Sequence, residues 1–353
     1  MKKYYRKIVF TNSNMKAGFR FEDRFQILPI NMDGKPQNPC ARHFPLYLEY
    51  TIEFPNGEPE DIFELGAIRI NKEKEILNLL SCLTNHRFFN YDSSMMGWGI
   101  IMPNKLSDDM TEDEKKNFHN QESQLFLGGY IYKGLKEDMQ IDHFSDLKEE
   151  IVYKEARMHE YYTDDPVDDF QHEISFPNTI SSALYYYYFN LSQKTREKVN
   201  SCIYLACDGM DISAQKRSLS FLSYVSAIEG LVDLDVDDDE IQFECKSCQS
   251  IKSSPYTCPQ CGRPIWGVKQ KFVNFLSKFV AGSEKSQKIY KDIYSLRSKM
   301  THTGKLFLSD YELSFSEKSN VKNEDDWLMR LKTLQLFRIS LDCWLRYPKK
   351  KKQ

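Results

Sequence analysis

Along the first 180 or so residues, apolar and aromatic positions come in short runs broken by turn-forming residues. Runs rich in β-branched and aromatic side chains predict strands at Lys7–Phe10, Phe25–Ile30, Leu46–Phe54, Ile62–Ile70, Trp98–Met102 and Leu125–Tyr132. Asp33-Gly34 and Pro55-Asn56-Gly57 punctuate them, and one helix is expected over about Lys72–Leu83. From about Ser182 the period changes. Helices are expected at about 182–209, 214–234, 267–281, 284–302 and 324–347. Leu219, Leu222, Val225, Ile228 and Val232 lie close to one helical face of the second. In the fourth, Ile289, Ile293, Leu296 and Met300 form a narrow stripe, and Gly304 is placed to stop it. In the fifth, Trp327, Leu331, Leu334, Phe337, Leu341 and Leu345 recur at similar intervals. The pattern predicts a β-rich α+β domain over 1–180 and an all-α bundle over 181–353.

A chain of 353 residues accommodates two such domains, and 41% hydrophobic with 28% charged residues excludes wholesale disorder. No run approaches the roughly 20 apolar residues of a membrane span. The basic start Met1–Lys7 is followed only by Ile8-Val9-Phe10, which is no secretory core, so a cytoplasmic protein is expected. The net charge of −3 hides an asymmetry: residues 189–353 hold 27 Lys and Arg against 20 Asp and Glu, whereas residues 1–188 hold 21 against 31. A basic half beside an acidic half is a hint of a polyanionic partner; the competing reading is an ordinary solvated surface.

Nine cysteines without a secretory leader argue against a disulfide framework. Four of them, Cys245, Cys248, Cys258 and Cys261, form C-x2-C-x9-C-x2-C, with Gly262 after the second pair. Each pair can present two thiolates to one ion from one turn, giving a closed four-thiolate site, for which structural zinc is the leading occupant and iron the alternative. Such a site leaves no coordination position for catalysis. It predicts a zinc-bearing insertion over 241–266 that clips a loop.

The other chemistry-bearing segment is Arg297-Ser298-Lys299-Met300-Thr301-His302. His302 is the only one of seven histidines beyond residue 172. An imidazole with an ordinary pKa near ~6.5 can exchange a proton with a ribose hydroxyl or a leaving oxygen, and a guanidinium can clamp a phosphate. Positions i and i+5 of a straight helix differ by about 140° in azimuth, so the two residues are not neighbours on one face. They converge only if the helix ends nearby, or if they meet counterparts across a two-fold axis.

In this context the chain resembles the HEPN superfamily, and within it the Apea-like HEPN group of prokaryotic antiphage proteins. The residues that carry the resemblance are Ile293 through Gly304, which look like that group's Tyr-x-x-Arg-Ser-x-x-x-His-x-Gly segment. Phe221 through Leu231 are similar to its early helix. A Cys-x2-Cys pair between those helices also occurs in the group. The resemblance covers about residues 190–347 and leaves the N-terminal half unassigned. It implies a metal-independent endoribonuclease acting in antiphage defence by abortive infection, with RNA as substrate and a homodimer as the assembly. Arg297 is then the phosphate clamp and His302 the general acid/base. Glu229, Tyr294 and Ser298 are supporting candidates, Ser298 standing where many such nucleases carry Asn, Asp or His. A phage-derived trigger acting on the N-terminal domain follows from the same resemblance. The alternative is a non-catalytic HEPN and zinc module that binds RNA or protein. A nucleotidyltransferase is set aside, because no Gly-Ser plus paired-aspartate signature is present.

Overall fold

The structure is a computed structural model. It describes residues 1–30, 43–90, 98–101, 111, 123–127, 130–135, 139–155, 157–163, 173–235, 243–244, 248–249, 251–252, 268–310 and 317–347. The architecture is mixed, a β-rich N-terminal region followed by a helical region. Two compact units divide the chain discontinuously. One comprises Met1–Leu80, His86–Lys154 and Asp168–Phe176; the other comprises Ser81–Asn85, Glu155–Val167 and Pro177–Gln353. Among the described residues, no helix is long and apolar enough to cross a membrane.

The first unit is built on an antiparallel sheet. Strands β1 (Lys2–Thr11), β2 (Phe19–Phe21), β3 (Phe25–Pro29), β4 (Phe44–Glu53) and β5 (Phe88–Phe89) lie in the order β2-β3-β4-β1-β5. The long central pair runs in register from Lys2 opposite Glu53 to Thr11 opposite Phe44. Three more strands, β6 (Trp98–Ile101), β7 (Ser123–Leu127) and β8 (Tyr130–Leu135), make a separate antiparallel sheet. Strand β9 (Met139–Ile141) also adds to β1. The run expected as one strand over Leu125–Tyr132 is therefore a hairpin, divided at residues 128–129, where the sequence reads Gly-Gly.

The strand expected at Ile62–Ile70 is instead the first half of helix α1, Ile62–Leu83. Residue type misled here. Ile62, Phe63 and Ile70 are strand-favouring but exposed, so they have no buried sheet face to supply. Glu64, Leu65, Ala67 and Arg69 favour a helix, and the Asp61 carboxylate accepts the Phe63 N–H at its start.

Within the sheet, Glu49 is fully buried and every hydrogen bond it accepts is short. Arg6 Nε lies at 2.8 Å, Ser145 N and Oγ at 2.8 Å each, and Gln26 Nε2 at 2.6 Å, with Arg6 Nη2 completing the ion pair at 2.7 Å. Burial pushes the Glu49 carboxyl up, but the Ser145 N–H and hydroxyl and the Arg6 guanidinium outweigh it and hold it below the ordinary carboxylate range. A carboxylate depressed in the folded state adds stability above its unfolded pKa and loses it as pH falls through the folded value. Urea midpoints recorded while pH is lowered from about 5 to about 3 should therefore fall less steeply for Glu49→Gln than for the wild type. At neutral pH the variant should be less stable by about 1–3 kcal/mol. Parallel acid limbs would assign the acid sensitivity to other groups.

The second unit is helical. A short helix α2 (Met158–Tyr161) precedes α3 (Ile180–Tyr185), which continues into a π turn at Tyr186–Asn190. The bundle then follows as α4 (Gln193–Asp211), α5 (Arg217–Asp235), α6 (Val268–Phe279), α7 (Glu284–Thr303) and α8 (Glu317–Arg346). The one long helix expected over 182–209 is broken: Leu191 is extended, and Ser192 Oγ accepts the Thr195 N–H to start α4 afresh. Helix α8 begins at Glu317 rather than near residue 324, because Glu317–Asn323 carry no apolar repeat to announce it.

Helix α5 is the centre of the bundle, packed by α4, α6, α7 and α8. Its buried set, Phe221, Tyr224, Val225, Ala227, Ile228, Leu231 and Val232, is wider than the expected stripe, and Leu219 lies outside it, exposed. Close approach of α4 and α5 depends on two glycines. A Cβ on Gly209 would stand 2.6 Å from the Tyr224 ring, and one on Gly230 would stand 2.5 Å from Cys202 Sγ.

Candidate functional site

Helix α7 carries Arg297 and His302. Ser283 caps its start, and Gly304 ends it in the left-handed conformation (φ 67°), donating its N–H to the Met300 carbonyl. Tyr290, Ile293 and Met300 are buried, so three positions spread over nearly three turns fix which way the helix faces. Arg297 shares the azimuth of that buried face, between Tyr290 and Ile293, and meets Glu229 of α5, with Nη2 to Oε2 at 3.0 Å. Both side chains are largely covered, at 26% and 17% exposure. The guanidinium also stands over the Tyr294 ring at 5.8 Å, and Tyr294 packs on Phe272 of α6 at 5.4 Å. Burial pushes the Tyr294 phenol up, Glu229 facing it adds to the rise, and Arg297 opposes it.

The structure thus brings Arg297, Glu229 and Tyr294 together. His302 is exposed and stands apart, about 140° further round the same helix and about 7.5 Å along it. Tyr294 and half-buried Ser298 occupy the arc between them, at about 60° and 100° from Arg297. Within one chain, a phosphate on Arg297 and a proton acceptor at His302 lie on different sides of one helical edge.

What holds the end of α7 against α5 had no counterpart in the sequence reading. After Gly304, Phe307 donates its N–H to Ser218 Oγ at 2.7 Å and packs on Phe221 at 5.5 Å. Asp310 then accepts the N–H groups of Arg217 and Ser218 at 2.7 and 2.8 Å, capping α5 from a distant part of the chain. Local capping rules cannot find a partner more than ninety residues away. Asp310→Ala should lower stability by about 1 kcal/mol, with Asp310→Asn keeping part of it, as read by thermal or urea unfolding. Equal losses for both would point to charge rather than hydrogen bonding.

Of the four cysteines, Cys245, Cys258 and Cys261 lie outside the described residues. Cys248 is half-buried, and Gln249 after it is left-handed (φ 55°), a conformation rare for a non-glycine residue. Phe243–Glu244 and Ile251–Lys252 pair antiparallel on either side of it in sequence. Among the described residues no group of three His, Cys, Asp or Glu is close enough to hold a metal.

No family model, no curated protein and no solved structure matches this chain.

Proposed function

We propose that the chain is a metal-independent endoribonuclease of the HEPN type, with Arg297 as phosphate clamp and His302 as general acid/base. The observation that carries the reading is the arginine itself: a guanidinium oriented by Glu229 and Tyr294, five residues before an exposed histidine at a glycine-capped helix end. In this reaction the ribose 2′-oxygen attacks the adjacent phosphorus while its proton passes to an imidazole. Arg297 donates to the non-bridging oxygens as charge builds there. The P–O5′ bond breaks, and O5′ takes a proton from an imidazolium, leaving a 2′,3′-cyclic phosphate and a 5′-hydroxyl.

Two proton transfers suit two imidazoles, which a homodimer supplies. The 140° separation favours that assembly. The N-terminal β-rich unit is then the part that restrains the bundle or senses a phage product, and the setting is cytoplasmic antiphage defence.

Purified wild type should cut single-stranded RNA in EDTA and leave cyclic-phosphate ends. Arg297→Ala and His302→Ala should each lower cleavage by at least about 100-fold. Mixing the two inactive variants should restore part of the activity if one site draws on two chains. Intact cleavage in both single variants would end this reading. The second reading, a non-catalytic RNA- or protein-binding module, is favoured by the occupied state of Arg297. It requires that neither variant changes phenotype in phage-challenged cells.

The cysteine cluster is proposed to hold one structural zinc through Cys245, Cys248, Cys258 and Cys261. The left-handed Gln249 fits that role. It occupies after the first pair the place that Gly262 occupies after the second, where a reversed backbone can turn amides towards sulfur. Metal analysis should return about one zinc per chain, and Cys248→Ser should lower that occupancy and the thermal midpoint. A metal-free chain of unchanged stability would exclude a structural ion.

A further inference from the structure

The positive charge of the C-terminal half is concentrated rather than spread. Residues 268–305 hold nine Lys and Arg against two Asp and Glu, an excess of seven that equals the whole excess of residues 189–353. These residues are α6, α7 and the turn after α7.

On α7, Lys288, Lys291, Ser295, Lys299 and His302 follow one another at i, i+3, i+7, i+11 and i+14. At 100° per residue they fall within an arc of about 80°, on the side away from buried Ile293 and Met300. The strip is about 21 Å long from Lys288 to His302. Its lysines are exposed. Lys269, at the start of α6, reaches the strip and donates to Ser295 Oγ at 2.8 Å. Lys305 stands exposed just past the helix end. The acids nearby are Asp292, on one flank of the strip, and Glu284 in the first turn.

Some lysines elsewhere are matched, Lys2 with Asp23, Lys3 with Glu58, Lys16 with Glu173, Lys72 with Glu75 and Lys278 with Asp235, whereas others, such as Lys194 and Lys198 of α4, have no ion-pair partner among the described residues. Lys288, Lys291, Lys299 and Lys305 have no ion-pair partner among the described residues. Unmatched ammonium groups in a row on a rigid helix repel one another, and a row of phosphates relieves that repulsion.

We infer that the outer face of α7 is a track for the backbone of single-stranded RNA, in which Lys288, Lys291 and Lys299, with Lys269 and Lys305 beside them, lead the strand to His302. The choice of RNA rests on the ribonuclease reading; the track rests on the strip. One narrow row fits the phosphates of one strand, whereas a duplex presents two rows across a groove. Contacts of this kind hold the backbone and read no sequence.

The test is fluorescence anisotropy of a labelled single-stranded RNA 20-mer with the full-length His302→Ala chain in EDTA, over a range of KCl concentrations. Combining Lys288→Gln, Lys291→Gln and Lys299→Gln should reduce the slope of log K against log salt by about 2, at roughly 0.7 per phosphate contact on a single strand. Affinity should weaken alike for unrelated sequences. Lys291→Gln alone should take about a third of that change, a readout available if the triple variant folds poorly. Lys194→Gln with Lys198→Gln, exposed on α4, should leave the slope unchanged.

An unchanged slope in the strip variants, or an equal drop in the α4 pair, would overturn the track. Displacement of the labelled strand by duplex DNA as readily as by unlabelled RNA would overturn the single-strand assignment. The two readings separate cleanly. A strip-dependent slope in a chain that cuts no RNA keeps the track and removes the nuclease. RNA cleavage with a strip-independent slope does the reverse.

Discussion

A buried guanidinium organises the helical unit. Arg338 of α8 is fully enclosed, yet the hydrogen bonds it donates go to neutral acceptors: Asn85 Oδ1 at 3.1 Å, the Ser81 carbonyl at 2.9 Å and Met210 Sδ at 3.3 Å. The ring of Tyr162 lies under it at 5.9 Å. Ser81 is in the last turn of α1, where carbonyls have no intrahelical partner and the helix end is electronegative. Tyr162 treats the Leu83 carbonyl in the same way, donating its hydroxyl at 2.8 Å, and the Asn85 N–H goes to the Tyr161 hydroxyl. The five residues Ser81–Asn85 are thus a polar peptide inside the bundle unit, satisfied group by group by side chains from α8 and from the segment around α2. Enclosing a charge is costly unless it is solvated by fixed dipoles, and here the end of a helix supplies them.

That arrangement specifies rather than merely stabilises. An apolar residue at Arg338 could fill the volume, but the Ser81 carbonyl and the Asn85 side-chain oxygen would then lose the N–H groups that Arg338 donates to them. The β-rich unit uses the complementary device. Glu49 is enclosed among N–H and O–H donors, and a one-residue slip of its strand would turn it to the opposite face, away from them. In both units a buried charge makes the wrong pairing expensive, and apolar packing then proceeds around a fixed polar centre.

These centres also mark where sequence reading fails. The helices of the bundle were legible because Ile293 and Met300, or Leu334, Phe337 and Leu341, repeat at helical spacing. Gly304 stops α7 where a left-handed residue was expected. The long strands were legible from β-branched and aromatic runs, whereas Ile62–Ile70 was not, since the same residue types sit exposed on a helix. Nothing around Arg338 distinguishes it from the surface arginines of a long helix, because its partners lie about 250 residues away. The candidate site was half legible. Arg297, His302 and Glu229 stand out as residue types, but the Glu229 contact and the Asp310 cap are products of packing between distant helices. The lysine strip was present in the helical period all along, hidden by a net charge that averages two unlike halves.

The Glu229–Arg297 pair bears on how the two kinds of positive charge divide their work. One N···O contact uses one of five guanidinium N–H donors, so the carboxylate orients the fork without exhausting it. It also neutralises much of the charge, which weakens the pull of Arg297 on a distant anion. Attraction at a distance must then come from groups that are unmatched, and on α7 those are the lysines. Exposed lysines act over a screening length of about 8 Å at physiological salt, and their contribution fades as salt rises. A half-buried, pre-oriented arginine is screened less and acts through direction rather than reach. If the chain is the ribonuclease proposed above, capture by the strip and chemistry at Arg297 should therefore respond differently to ionic strength, with binding lost well before the cleavage rate of bound RNA changes.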